Sequence, residues 1–166
     1  MSFFKLVKNS MGMDLEAPSY TVTNKIDEFS ELRKYAKGKW VCTSQKGQAQ
    51  DIFQNSDCLS EKLITYISGQ NAEQLKVPLT TPVTFGYIIA NAEKFTGTSV
   101  CTMALRFYVP NSIAVPPKPS DNTVYIEDNP EMVVAVIRFS GYATIDDFIF
   151  QRDLLIGIFL NFNKIN

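Results

Sequence analysis

The sequence predicts an α+β domain made of two pseudo-repeated halves, the second of them incomplete. Three observations carry this prediction. Short runs of β-forming residues alternate with two stretches of helical periodicity. Two strand–strand blocks match at one constant offset (32 to 126): Leu32 with Ile126, Trp40 with Val134, Cys42 with Val136 and Gly47 with Gly141. The 166 residues, 45% of them apolar, suffice for a single domain over residues 1–166 with its own core.

The chain opens with a leader, residues 1–18, whose apolar positions Phe3, Phe4, Leu6 and Val7 are interrupted by Lys5. The run is too short for a signal peptide, and Met1-Ser2 lacks the glycine that myristoylation needs. After Pro18, three strands are expected: Tyr20 to Asn24, Glu31 to Tyr35 and Lys39 to Ser44. Ala36-Lys37-Gly38 reads as the short loop of a hairpin between the last two, its glycine free to take positive φ. Asp57 is the expected N-cap of a helix reaching Ser68, with Gly69 as its stop. Leu59, Leu63, Tyr66 and Ile67 fall on one face of that helix and are expected to pack on a sheet. Ile64 points away from the centre of this stripe, beside Ser60 and Ser68.

Val83 to Ala90 and Ser99 to Val109 read as two more strands. Pro110, Pro116, Pro117 and Pro119 then stiffen a connector that cannot join a central sheet, because proline lacks the amide donor. A PxxP ligand is the alternative reading of this segment, and a structural crossover is preferred. A second hairpin is expected from Thr123 to Asp128 and Met132 to Phe139 around Asn129-Pro130, followed by a helix from about Ile145 to Phe159. The first half thus reads strand, strand, helix, strand, strand. The second stops after its helix, so an unpaired sheet edge and exposed apolar surface are expected there.

Sixteen basic and seventeen acidic residues give a net charge of −1, which argues against a nucleic-acid partner. The local cluster Arg33, Lys34, Lys37 and Lys39 reads as a solvated turn. Three cysteines without CxxC spacing suggest no disulfide framework and a reducing compartment, with Cys42 and Cys101 as small buried hydrophobes. Cys58 lies in the first helical turn, where the helix dipole favours thiolate and neighbouring Asp57 opposes it. The apolar run Leu154 to Leu160 is far short of a membrane span. A soluble, cytoplasmic protein is expected. The chain has no histidine, which removes the commonest general base and metal ligand together. No nucleotide-binding glycine motif occurs, and Glu127-Asp128 and Asp146-Asp147 are explained by a turn and a helix start. Enzymatic function is therefore disfavoured, and three scattered cysteines do not supply the four ligands of a structural zinc site.

Several blocks, in order, resemble the SOUL heme-binding family. They are the leader from Lys5 to Tyr20, Leu32-Arg33-Lys34-Tyr35, Lys39-Trp40-Val41, Tyr66-Ile67-Ser68-Gly69-Gln70-Asn71 and Leu79-Thr80-Thr81-Pro82-Val83. Tyr108-Val109-Pro110, Pro116-Pro117-Lys118-Pro119, Val124-Tyr125-Ile126-Glu127 and Phe139-Ser140-Gly141-Tyr142 complete the set. The resemblance implies a twisted antiparallel β-barrel of two related halves flanked by two helices. It implies non-covalent, non-enzymatic binding of heme or another tetrapyrrole at a shallow apolar site on the outer face of the first helix. The matching positions here are Ser60, Ile64 and Ile67, with Asp57 and Thr65 alongside. Lys34 stands where some relatives carry a histidine, a candidate iron ligand. Axial ligation here would fall to tyrosine, cysteine, methionine or lysine, or come from outside the protein. Lys34, Lys37 and Lys39 are candidates to neutralise propionates. The family's closing segment has no counterpart, and residues from about 156 to 166 form a non-family tail, so a C-terminally truncated form is expected. The alternatives are an interaction module that docks on a protein partner through Phe148 to Phe159, and an inactive truncated isoform.

Overall fold

The computed structural model describes residues 14–88, 95–141 and 143–165. The leader up to Met13 and the end of the Val83 to Ala90 strand therefore lie outside the described residues. In chain order the elements are β1 (Tyr20–Lys25), β2 (Ser30–Tyr35), β3 (Gly38–Gln48), α1 (Ala49–Gln54), α2 (Asp57–Ile67), β4 (Val83–Ile88), β5 (Val100–Tyr108), β6 (Val124–Asn129), β7 (Met132–Ile137) and α3 (Ile145–Ile165). The strands form two antiparallel sheets, ordered β1-β2-β7 and β4-β5-β3-β6.

The two expected hairpins are not hairpins. β2 pairs with β7, and β3 pairs with β6. Ser30 faces Ile137 in one sheet and Thr43 faces Val124 in the other, and both pairs of numbers add to 167. All rungs of these two ladders share that register. The pair β2–β3 is thus one long bent strand running antiparallel to the bent pair β6–β7. Ala36-Lys37 and Pro130-Glu131 make the corner where both strands pass from one sheet to the other. The repeat read from the sequence maps this ladder onto itself, so its pseudo-two-fold axis crosses the corner. The repeat offset therefore holds although the pairing was misread, and the core takes Val41, of the opposite parity to Trp40 and Cys42: one chain doubling back locally and two distant stretches pairing produce the same alternation.

Gly38 opens β3 without a positive φ. A Cβ there would come 3.0 Å from Tyr108 Cε2, so this glycine makes room for the Tyr108 ring. The left-handed position is Gly69, φ +102°, which ends α2 as expected. The N-cap of α2 is Ser56 and not Asp57, and Asp57 sits within the first turn. α1 has no counterpart in the sequence reading. It is only six residues long, and its first amides are met by backbone carbonyls of the segment leading into β5: Ala49 N–H donates to Ser99 O and Gln50 N–H to Gly97 O. α3 begins at a reciprocal cap, where the Thr144 N–H and hydroxyl both donate to Asp147 Oδ2 at 2.7 Å and the Asp147 N–H donates back to Thr144 Oγ1.

One core fills the space between the helices and one face of the β4-β5-β3-β6 sheet. Leu59, Leu63 and Tyr66 of α2, Ile52 of α1, and Val41, Met103, Leu105 and Phe107 of the sheet are all buried in it. Alternation along β5 puts Cys101, Met103, Leu105 and Phe107 into this core and turns Thr102, Ala104, Arg106 and Tyr108 to the other face. The proline connector is tied down: Tyr66 Oη donates to Pro117 O at 2.7 Å, Ala72 N–H to Lys118 O, and Asn71 bridges to Pro119. It is a crossover from β5 to β6, which lie on either side of β3 in one sheet.

The β-barrel, expected with its second half incomplete, is not closed among the described residues. The two sheets meet along the corner, and β4 and β7 are each the outer strand of their own sheet. β7 is followed by Phe139–Gly141 and then α3, and a helix has no free backbone donors to close a sheet edge. A cleft is left between the sheets.

Candidate functional site

The residues singled out on α2 come together along one ridge, since positions 60, 64 and 67 recur at helical spacing. They are not equally presented. Ser60 is wholly buried, and its hydroxyl donates to Asp57 O at 2.8 Å. The buried stripe is therefore wider than Leu59, Leu63, Tyr66 and Ile67, and Ser60 lies under the ridge and not on an outer face. Ile64 and Ile67 are half-buried and pack against the core with part of each side chain open. Thr65 is exposed and borders a cavity of about 550 Å³ with Gly69, Gln70 and Asp121. Asp57 and Cys58 are exposed at the helix start.

Lys34 is not beside them. It lies on β2, exposed, with Nζ 2.7 Å from Glu131 Oε1, and borders a separate depression with Tyr20 and Thr21. Two other cations of the cluster are engaged too. Arg33 Nε donates to Glu31 Oε1 at 2.7 Å, with its guanidinium 4.3 Å from the centre of the Tyr20 ring. Lys39 Nζ donates to Asp128 Oδ1. Lys37 and Lys39 flank a depression of about 490 Å³ on the corner, under Tyr108, Pro110 and Ile113.

The structure also forms a cleft outside the positions expected from the sequence. The cleft between the sheets encloses about 320 Å³. Tyr35, Met132 and Val134 form one wall, Trp40, Gly86 and Arg106 the other, and Pro130 lies at the corner end. The signal was present as one charged residue inside the otherwise uncharged strand Val100–Tyr108. Its two neighbours across the sheet are Thr84 and Cys42. Cys42 is buried, and burial above all, with the Glu127 carboxylate next, pushes its thiol up to about 12. It is inert and not a nucleophile.

Comparison with known proteins adds four findings. A family model described as SOUL heme-binding protein matches residues 15–158. Heme-binding protein 2 of Mus musculus is 33% identical over 143 residues, covering 84% of this chain and 67% of the relative. Heme-binding protein 2 of Homo sapiens is 34% identical over 115 residues, covering 69% of this chain, and the match spans 53% of that relative's length. Heme-binding protein 1 of Xenopus laevis is 27% identical over 150 residues, with 88% of this chain and 76% of the relative covered.

Proposed function

The chain belongs to the SOUL heme-binding protein family, and on that premise we propose that it binds heme or a related tetrapyrrole without a covalent link and without catalysing a reaction. The family match over residues 15–158 is the observation that carries this reading. The proposed contact is the α2 ridge. Ile64 and Ile67 keep open apolar surface on a helix whose other face is locked into the core, which suits the face of a macrocycle. Each 100 Å² of apolar surface covered there would contribute about 2.5 kcal/mol. Ser60 holds the first turn of α2 through its bond to Asp57 O and sits beneath the ligand. Lys34 would act on a propionate only by exchanging its Glu131 partner, so it belongs to the margin of the site. When bound, the group supplies an iron centre, and a chain without histidine offers it sulfur, phenol or amine donors such as exposed Cys58. No helix among the described residues is long and apolar enough to cross a membrane, and a cytoplasmic location is part of the proposal.

A hemin titration followed in the Soret region tests the reading. The expected result is saturable binding at one-to-one stoichiometry, weakened about tenfold or more by Ile64→Asp, which places a carboxylate against the macrocycle. No saturable shift, or a shift indifferent to Ile64→Asp, overturns it.

A second reading, docking of α3 on a protein partner, is favoured by one observation. Phe150, Leu154, Ile156 and Leu160 are 64%, 43%, 45% and 54% exposed on that helix. Serine at Phe150 and Leu154 would abolish such docking and leave hemin binding intact.

A further inference from the structure

We propose that the cleft between the two sheets is a second binding site, for a small organic anion: a carboxylate or sulfonate carried on a flat aromatic body. The proposal does not depend on the tetrapyrrole reading, because none of the α2 ridge residues borders this cleft. At about 320 Å³ it lies at the small end of the range for ligand pockets, roughly 300–1,000 Å³. That volume suits one or two fused rings with a charged group.

The chemistry of the lining sets the ligand class. Tyr35, Trp40, Met132 and Val134 offer a slot walled by aromatic and aliphatic surface, which a planar apolar body fills. At the base of one wall lies the Arg106 guanidinium. Its side chain is 28% exposed, its Nε is buried, and no acceptor among the described residues hydrogen-bonds to it. Its ion-pair partner is Glu127, with Oε2 3.5 Å from Nε and outside hydrogen-bond geometry. A guanidinium is a five-donor fork, and this one is held beside Glu127 by charge with its Nε donor unmet. An anionic oxygen pair can take the fork where Glu127 does not reach.

Gly86 keeps that approach open. A Cβ at this position would sit 3.6 Å from both Cζ and Nη2 of Arg106, so any larger side chain would cover the guanidinium. Cys42 and Thr84, its neighbours across the sheet, are small as well. The arginine is thus surrounded by side chains that do not fill the space in front of it.

The test uses 8-anilinonaphthalene-1-sulfonate as an anionic aromatic probe and N-phenyl-1-naphthylamine as the same body without charge, both titrated by fluorescence against the full chain. Saturable one-to-one binding of the sulfonate is expected, at least about tenfold tighter than the amine. Arg106→Gln should weaken the sulfonate about tenfold or more, and Arg106→Lys should recover only part of the loss because it restores charge without the fork. Gly86→Val should block the probe, and Met132→Trp, on the opposite wall, repeats that block should Gly86→Val fail to fold by circular dichroism. Ile64→Asp should leave the probe bound. Non-saturating binding, equal binding of the two probes, or affinity indifferent to Arg106→Gln would overturn the proposal.

Discussion

Tyr66→Phe isolates one hydrogen bond that holds the helix layer to the crossover. Tyr66 is 2% exposed, and its hydroxyl donates to Pro117 O at 2.7 Å across a separation of 51 residues. Phenylalanine keeps the ring in the core and removes only the donor, leaving a buried carbonyl without a partner. An unmet buried acceptor costs about 1–3 kcal/mol. With a urea slope of about 2 kcal/mol/M, the unfolding midpoint should fall by about 0.5–1.5 M. The pH dependence provides a second measure. Burial first, and the Glu73 carboxylate second, raise the Tyr66 phenol from 10.0 to about 12. Its folded form prefers the neutral phenol, so the stability it contributes is complete below pH 10 and is lost as pH rises through about 12. The gap between wild type and Tyr66→Phe should therefore narrow over that interval. A neutral-pH midpoint shift below about 0.2 M, or a gap that stays constant from pH 10 to 12, would refute the reasoning.

Two further predictions follow from the thiols and from the α3 cap. At pH 8 Cys58, which is exposed, should react with a disulfide reagent in the native state, while buried Cys42 and Cys101 react only on unfolding. A fast-reacting thiol that survives Cys58→Ser would contradict this. Hydrogen bonds from the Thr144 N–H and then its hydroxyl lower the Asp147 carboxyl below its ordinary 3.8. The folded state therefore prefers the carboxylate, and the cap's contribution is present above pH 3.8 and lost as pH falls through the lower folded value. Asp147→Asn should be less stable than wild type at pH 7 and should converge on it in acid. A difference that does not shrink as pH falls below 3.8 would show that the cap does not act through charge.

The element types were legible because they depend on local chemistry. Alternation marked the strands, Gly69 ended α2, and the proline cluster announced a crossover that cannot enter a sheet. Pairing was not legible. Val41 alternates with its neighbours in the same way whether it lies opposite β2 or opposite Ile126, 85 positions away in sequence, and the structure selects Ile126. The site was read in part for a related reason. Helical spacing placed Ser60, Ile64 and Ile67 on one ridge, but the width of the buried stripe depends on what α1 and the sheet press against it, and α1 is too short to show in a periodicity. Lys34 sits in a different sheet from the one under α2, a distance that no spacing along the chain encodes. Arg106 stood out as a lone charge in an uncharged strand. What surrounds it comes from β4, β3 and β7, three segments far apart in sequence.

The shared register of the corner also limits how related chains can change in length. Two residues, Ala36 and Lys37, face two, Pro130 and Glu131, at the bend. One residue inserted into a single link would slide one half-ladder past the other and exchange its faces, turning Trp40 toward the helices and Val41 into the cleft. The two links can lengthen or shorten only together, as the two arms of one hinge must.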